Sequence, residues 1–292
     1  MRVTEGMGYQ NLLRDLERVQ ERLQKAQEQI SSGKKISAPS DDPSLASDIV
    51  RINGEKVESA QYQRNLQFGQ SKLNLTDTVM DGLQTMVERA ITLGQSSISN
   101  ATAGTSGAVE VDLLRDQIIS VGNTTHLGRY IFGGSKTTTP PYVKAADSSV
   151  SYQGNNTAMT VQVGRAVTLQ TQIPGSEIFS GSVDVFSTLS DLVTAMKNGD
   201  NTGIDAQIQK LKQFSDVVSV ARTRVAGFVN MGANVASELS SKDLARASDL
   251  KQEQDADIAQ AISELTMSQT ALQATLAAGA KISQISLLDY LK

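Results

Sequence analysis

Residues 257–292 read DIAQAISELTMSQTALQATLAAGAKISQISLLDYLK, and residues 12–30 read LLRDLERVQERLQKAQEQI. In the first stretch Ile258, Ile262, Leu265, Leu272 and Leu276 recur at steps of four and three across a gap filled by Gln269. Ile282, Ile285 and Leu288 carry the apolar stripe towards the end. Such spacing marks one face of a helix. In the second stretch Leu12, Leu16, Val19, Leu23, Ala26 and Ile30 alternate steps of four and three without interruption, which is a heptad seam. The remaining positions are mostly Gln, Glu, Arg, Ser and Thr. Each end thus carries a narrow apolar stripe on a polar helix, with no partner for it close by in sequence. The stripes predict that the chain joins its own ends, as an antiparallel pair, or joins other chains. The expectation carried forward is an assembly surface made of Leu12, Leu16, Val19, Leu23, Ile30, Ile258, Ile262, Leu265, Leu272, Leu276, Ile282, Ile285 and Leu288, chiefly intermolecular.

Composition agrees with long helices rather than a large compact core. Of 292 residues 39% are hydrophobic and 4% aromatic, and Trp is absent. Such a composition suits helices with much surface waiting for neighbours. The 27 basic and 31 acidic residues give a net charge of −4. No basic field is present to attract nucleic acid. There is no cysteine, which removes disulfides, zinc-thiolate sites and thiol nucleophiles. The first residues, MRVTEGMGYQNLLRDLERVQERL, lack the apolar core of a cleavable signal peptide. No stretch approaches the roughly 18 consecutive apolar residues of a membrane span, so no membrane partner is expected.

Between the ends, SSGKKISAPSDDPSLAS at 31–47 is a joint. Gly33 suits a helix stop, Pro39 an extended approach, and Asp41 or Asp42 a cap on a helix beginning at Pro43. No His or third carboxylate accompanies the two aspartates, so capping is preferred to metal binding. From Pro43 a helical pattern runs to about Asn100, with Leu66, Leu73, Met80 and Val87 at intervals of seven. Such a helix would be about 85 Å long, and its polar seam around Lys56, Ser59 and Gln63 predicts a break or loose packing. Gly104 and Gly107 predict a turn, followed by a helix from Ala108 to about Leu127. His126, the only histidine, falls near the end of that helix and has no Ser, Cys or Asp constellation around it. Residues 133–182 lose the helical period and predict short strands at 150–152, 159–163 and 167–171. GGS at 133–135 lacks the strand, Lys and helix of a phosphate loop. Helices resume at Asp184, stopping at Gly199, and near Ile204, running to about Leu250 through Leu211, Val218, Val225, Gly232 and Leu239. The acidic run EQDAD at 253–257 favours the start of a last helix and lacks the pattern of a calcium loop.

The fold expected is therefore mainly α, an elongated fold-back bundle of long helices with terminal coiled-coil helices and a small β insertion in the middle. Three parts are expected: 1–42 with 255–292 as a terminal coiled coil, 43–132 with 183–254 as a long helical core, and 133–182 as the β-rich insertion. No catalytic, cofactor-binding or metal-binding residue is expected.

The motifs SSGKKISAPSDDPSLAS at 31–47, LGRYIFGGSKTTTPPY at 127–142, IPGSEIF at 173–179 and QTALQATLAAGAKISQISLLDYL at 269–291 resemble the flagellin superfamily of bacterial flagellar axial proteins. Within it, YIFGG, PGSEIF and the ending SLLDYL are similar to the hook-filament junction proteins. The resemblance covers nearly the whole chain. It implies a structural adaptor without chemistry, exported unfolded through the flagellar type III apparatus without a cleavable signal peptide. It also implies an extracellular place at the hook-filament junction of the flagellum. The implied partners are the first hook-associated protein, flagellin, copies of itself in a ring-like layer, and an export chaperone on the C-terminal helix. The alternative is a filament-forming flagellin.

Overall fold

A computed structural model of the chain describes residues 2–99, 101–146 and 148–290, with the side chains of 2–6, 8, 101–103 and 282–290 left aside. The fold is mainly α. Its elements are α1 (Arg2–Ser32), α2 (Pro43–Ser99), α3 (Ala101–Gly122), β1 (Thr125–His126), β2 (Arg129–Tyr130), β3 (Tyr142–Lys144), β4 (Val150–Tyr152), β5 (Thr160–Gly164), β6 (Val167–Gln170), α4 (Gly175–Phe179), α5 (Val185–Asn198), α6 (Asn201–Gln254) and α7 (Ile258–Tyr290). Two compact units emerge: Met1–Glu58 with Ser241–Lys292, and Ser59–Ser240. Helices α2 and α6 contribute to both.

The helix ends follow their local chemistry. Gly33 takes φ 69°, closing α1, and its N–H donates to the Gln29 carbonyl at 2.9 Å. The two aspartates at the joint divide the work. Asp42 Oδ1 caps α2 by accepting from the N–H groups of Ser44 and Leu45, while Asp41 Oδ2 accepts from Ser37 and Ala38 and shapes the preceding loop. Those two backbone donors hold the Asp41 carboxyl below the usual carboxylate range. Asp184 caps α5 in the same way as Asp42 caps α2, and Gly199 ends α5 at φ 64°. Helix α6 starts at Asn201, earlier than the sequence predicts, because Asp200 Oδ1 accepts from Gly203 N–H and caps it.

In the unit Ser59–Ser240 the heptad lines form the core. Leu66, Leu73, Met80 and Val87 of α2, Val111, Leu114 and Ile118 of α3, Leu189, Leu192 and Met196 of α5, and Leu211, Val218 and Val225 of α6 are all buried in one cluster. Arg222 of α6 reinforces the pairing with α2 by reaching Asp77 at 3.0 Å and Asp81 at 2.7 Å. Three expectations need correcting. Helix α2 is unbroken through Lys56, Ser59 and Gln63, with Ser59 buried rather than loosely packed. Helix α3 begins at Ala101 and runs through Gly104 and Gly107, where a turn is predicted. A Cβ on Gly107 would stand 2.8 Å from Met196 Cε, so that glycine lets α5 approach α3 and marks no turn. Helix α3 then stops at Gly122, which puts His126 in β1 rather than on a helix.

The β elements are three separate antiparallel pairs, β1–β2, β3–β4 and β5–β6. The last has a register shift between Gln162 and Gly164. The predicted strands match β4, β5 and β6 to within one residue; β1, β2, β3 and α4 have no counterpart in the sequence reading. The β3–β4 pair packs on the helices through aromatic side chains, and β5–β6 through the buried Val163 and Leu169. Tyr142 is flanked by Phe179, Phe186 and Tyr152, with ring centroids 5.1, 5.1 and 5.2 Å away. Gly122 admits the Tyr142 ring, since a Cβ there would lie 2.6 Å from Cδ2. Burial pushes the Tyr142 hydroxyl above its ordinary value. Gly69 of α2 likewise admits Thr171, whose Cγ2 lies 2.9 Å from the position a Cβ would take.

Candidate assembly surface

The terminal helices pair with each other in the unit Met1–Glu58 with Ser241–Lys292. Their near ends are pinned by backbone. Lys34 and Asp255 form an antiparallel bridge, Lys35 N–H donates to the Gln254 carbonyl at 2.7 Å, and Ala256 N–H donates to the Gly33 carbonyl at 2.9 Å. Lys35 Nζ donates to the Gln252 carbonyl at 2.6 Å, and Gln29 Nε2 donates to the Lys35 carbonyl at 2.9 Å. Asp257 Oδ1 accepts from Gln260 N–H, so the acidic run does provide the first cap of α7. Nearby, Arg246 of α6 reaches Glu55 of α2 at 3.0 Å, and that bond holds the Glu55 carboxyl below its usual range.

Farther along, Leu12 sits over Gly279, where a Cβ would come within 2.9 Å of its Cδ2. The face of α7 turned to α1 runs through Ala261, Leu265, Ser268, Leu272, Thr275 and Gly279, of which Ala261 and Ser268 are buried and the rest half-buried. Those positions step by four and three without a gap, matching the seam of α1 read in the opposite direction. Counting outward from Leu12 on Gly279 sets Leu16 against Thr275, Val19 against Leu272, Leu23 against Ser268, Ala26 against Leu265 and Ile30 against Ala261. In most layers a large residue faces a small one, which lets two helices approach closely and interdigitate.

The predicted surface residues therefore divide. Leu12, Leu16, Val19, Leu23 and Ile30 of α1, with Leu265 and Leu272 of α7, lie half-buried in this intramolecular seam. Ile258, Ile262 and Leu276 are 40%, 50% and 57% exposed; Ile258 continues the four-three series at the start of α7, whereas Ile262 and Leu276 lie on its flank. Ile282, Ile285 and Leu288 lie outside the residues whose side chains are described. Sequence reasoning followed the large aliphatics and missed Ala261, Ser268, Thr275 and Gly279. The interruption at Gln269 was the available signal, because the uninterrupted four-three series is the one carrying the small residues.

Titratable chemistry elsewhere is sparse. His126 Nε2 and Ser71 Oγ share a hydrogen bond of 3.0 Å, while Nδ1 is buried without a partner. Among the described residues no group of three or more His, Asp or Glu side chains is placed to hold a metal. Among them also, no helix is long and apolar enough to cross a membrane.

Comparison with known proteins adds to this geometry. Residues 3–137 match the model of the bacterial flagellin N-terminal helical region. The chain is similar to flagellar hook-associated protein 3 of Escherichia coli, at 28% identity over 100% of both chains. It is also similar to flagellar hook-associated protein 3 of Salmonella typhimurium, at 27% identity over 94% of this chain and 95% of that one. Among solved structures, a flagellar hook-associated protein from Vibrio parahaemolyticus superposes with a TM-score of 0.69 at 20% identity. That match covers 74% of this chain and 100% of the other.

Proposed function

We propose, for a chain that belongs to the flagellar hook-associated protein 3 family within the flagellin superfamily, that it is a structural adaptor joining the flagellar hook to the flagellin filament. It works without chemistry, as a layer of copies between the first hook-associated protein and flagellin at the hook-filament junction outside the cell. Before export its C-terminal helix is the segment an export chaperone holds. The terminal coiled coil is the part that assembles.

The observation that carries this reading is the α1–α7 pair, which closes on itself largely through small residues of α7 and leaves Ile262 and Leu276 exposed on its flank. An apolar stripe left outside a closed pair has contact area to give to neighbouring subunits. The test is a strain lacking the chain, which should make hooks but shed its flagellin. Complementation with an Ile262→Asp, Leu276→Asp variant should give a folded, exported protein that leaves filaments unattached. Firmly attached filaments with that variant would overturn the role of the outer stripe, and attached filaments in the deletion strain would overturn the adaptor reading itself.

A further inference from the structure

The β1–β2 hairpin meets α2 through a group of donors that lack an acidic partner. Lys72 of α2 is buried, yet its Nζ donates only to the neutral Gln172 Oε1, and its other N–H groups have no acceptor among the described residues. His126 and Arg129 form the cross-strand pair next to the hairpin tip. Side chains of such a pair stand on the same face. That face is turned to α2, because His126 Nε2 and Ser71 Oγ share a bond of 3.0 Å and the His126 ring lies 5.7 Å from that of Phe68. Arg129 is exposed, reaches Thr137 Oγ1 at 3.5 Å and makes no ion pair among the described residues. With Ser71 Oγ donating to Nε2, the His126 proton sits on Nδ1, which is buried and has no acceptor.

Counter-charge is scarce there by sequence. Helix α2 has no Asp or Glu from Ser59 to Thr76, and between Gln117 and Ser176 the single acid is Asp147. Asp77, Asp116 and Glu177, at the borders of these segments, are bound to Arg222, Lys144 and Arg224. A buried charge is ordinarily paired or satisfied by hydrogen bonds. The cluster is therefore short of acceptors and negative charge, not of donors. Burial, with a smaller contribution from Arg129, holds the Lys72 amine down at about 8. That is the direction expected of a desolvated ammonium beside a like charge with nothing to offset it.

We infer that these groups form a binding site for a small oxyanion of the phosphate or sulfate class, held between the hairpin and α2 by Lys72 Nζ, the Arg129 guanidinium and His126 Nδ1. A tetrahedral dianion can accept from all of them through different oxygens, and bonds between ionised partners are the strong ones. Arg129 is open to solvent and Lys72 is not, so the ion enters past the arginine and loses water against the lysine. Its ligands come from β1, β2 and α2, so a bound ion ties the hairpin to the long helix.

His126 is the only histidine, so its ring signals in NMR report on the site without overlap. Titrating the full chain with sodium phosphate at fixed neutral pH and constant ionic strength should move those signals saturably. Sodium sulfate should do the same, and sodium chloride should not. Lys72→Met and the surface substitution Arg129→Gln should each raise the phosphate midpoint by about tenfold or more, since each removes a charge-assisted bond. Thermal unfolding of both variants without phosphate checks that they are folded. A response to phosphate no larger than the response to chloride overturns the site. So does a saturable response with the same midpoint in wild type and both variants, because the ion then sits elsewhere. A midpoint raised in Arg129→Gln alone would place the ion on the surface, away from Lys72, and overturn the site as built here.

Discussion

Lys72 offers a measurable consequence of burial in the helical unit. It is 5% exposed, its Nζ donates to Gln172 Oε1 at 2.6 Å, and Gln172 Nε2 in turn donates to the Gly134 carbonyl at 3.0 Å. Burial, with a smaller contribution from the nearby Arg129, lowers the lysine from 10.5 to about 8. A lowered lysine releases its proton in the folded state before the unfolded one, so stability rises with pH between about 8 and 10.5. Below about 8 the chain carries the whole cost of the buried ammonium. The gap between the two values corresponds to about 3 kcal/mol at most, and screening by water at the edge of the site brings it to about 2 kcal/mol. In Lys72→Met this cost is gone, but Gln172 Oε1 loses its donor, which costs about 1 to 3 kcal/mol. The variant should therefore be close to wild type in stability at pH 7 and less stable by about 2 kcal/mol near pH 10.5. Tyr142, held neutral by burial, lowers stability above pH 10 in both proteins and cancels in the comparison. Urea unfolding of both chains at steps from pH 7 to 10.5 measures the difference directly. A difference that stays flat across that range would refute the assignment of a buried, charge-penalised amine.

Two other substitutions probe the packing. Gly279→Leu should overfill the Leu12 layer and lower amide hydrogen-exchange protection in residues 10–20 by about tenfold or more, and adding Leu12→Ala should restore most of it; strictly additive effects would place the two residues out of contact. Gly122→Ala should push a methyl group into the Tyr142 ring and destabilise the helical unit by about 2 kcal/mol, seen as a lower thermal midpoint with near-UV changes from the aromatic cluster.

How far the sequence was legible depends on which physical signal each residue emits. The seams of α1, α2 and α6 were readable because large aliphatics at Leu16, Leu73 or Val218 register as a period. Gly33 and Gly199 were readable as stops because both are followed by a change of pattern, and both do adopt positive φ. Gly107 looks the same in sequence but serves close helix approach, a tertiary cause that no local window contains. The short strands β1, β2 and β3 were invisible because two or three residues cannot establish alternation. They are fixed instead by partners far along the chain, such as Asn123, whose side chain both donates to the Tyr142 carbonyl and accepts from its N–H.

The inner seam of α7 departs in part from the usual logic of an amphipathic helix. Ordinarily the large apolar residues face the chain's own core and the small or polar ones face water. Here Ala261, Ser268, Thr275 and Gly279 share the face turned to the partner helix with Leu265 and Leu272, while Ile262 and Leu276 stay exposed on the flank. The outward side is also nearly free of charge, since Glu264 and Lys281 are the only ionisable residues between Ile258 and Lys281. Small residues permit close approach but bury little area, so the intramolecular pair is held more by geometry than by hydrophobic free energy. Covering the exposed half of Ile262 and of Leu276 would contribute about 1 kcal/mol each. In the layer of copies proposed above, covering these side chains would add to the stability of α7, and each added neighbour would make the α1–α7 pair harder to open. A surface of this kind is weak in a single copy and strong in an array, which is what a layer built one subunit at a time requires.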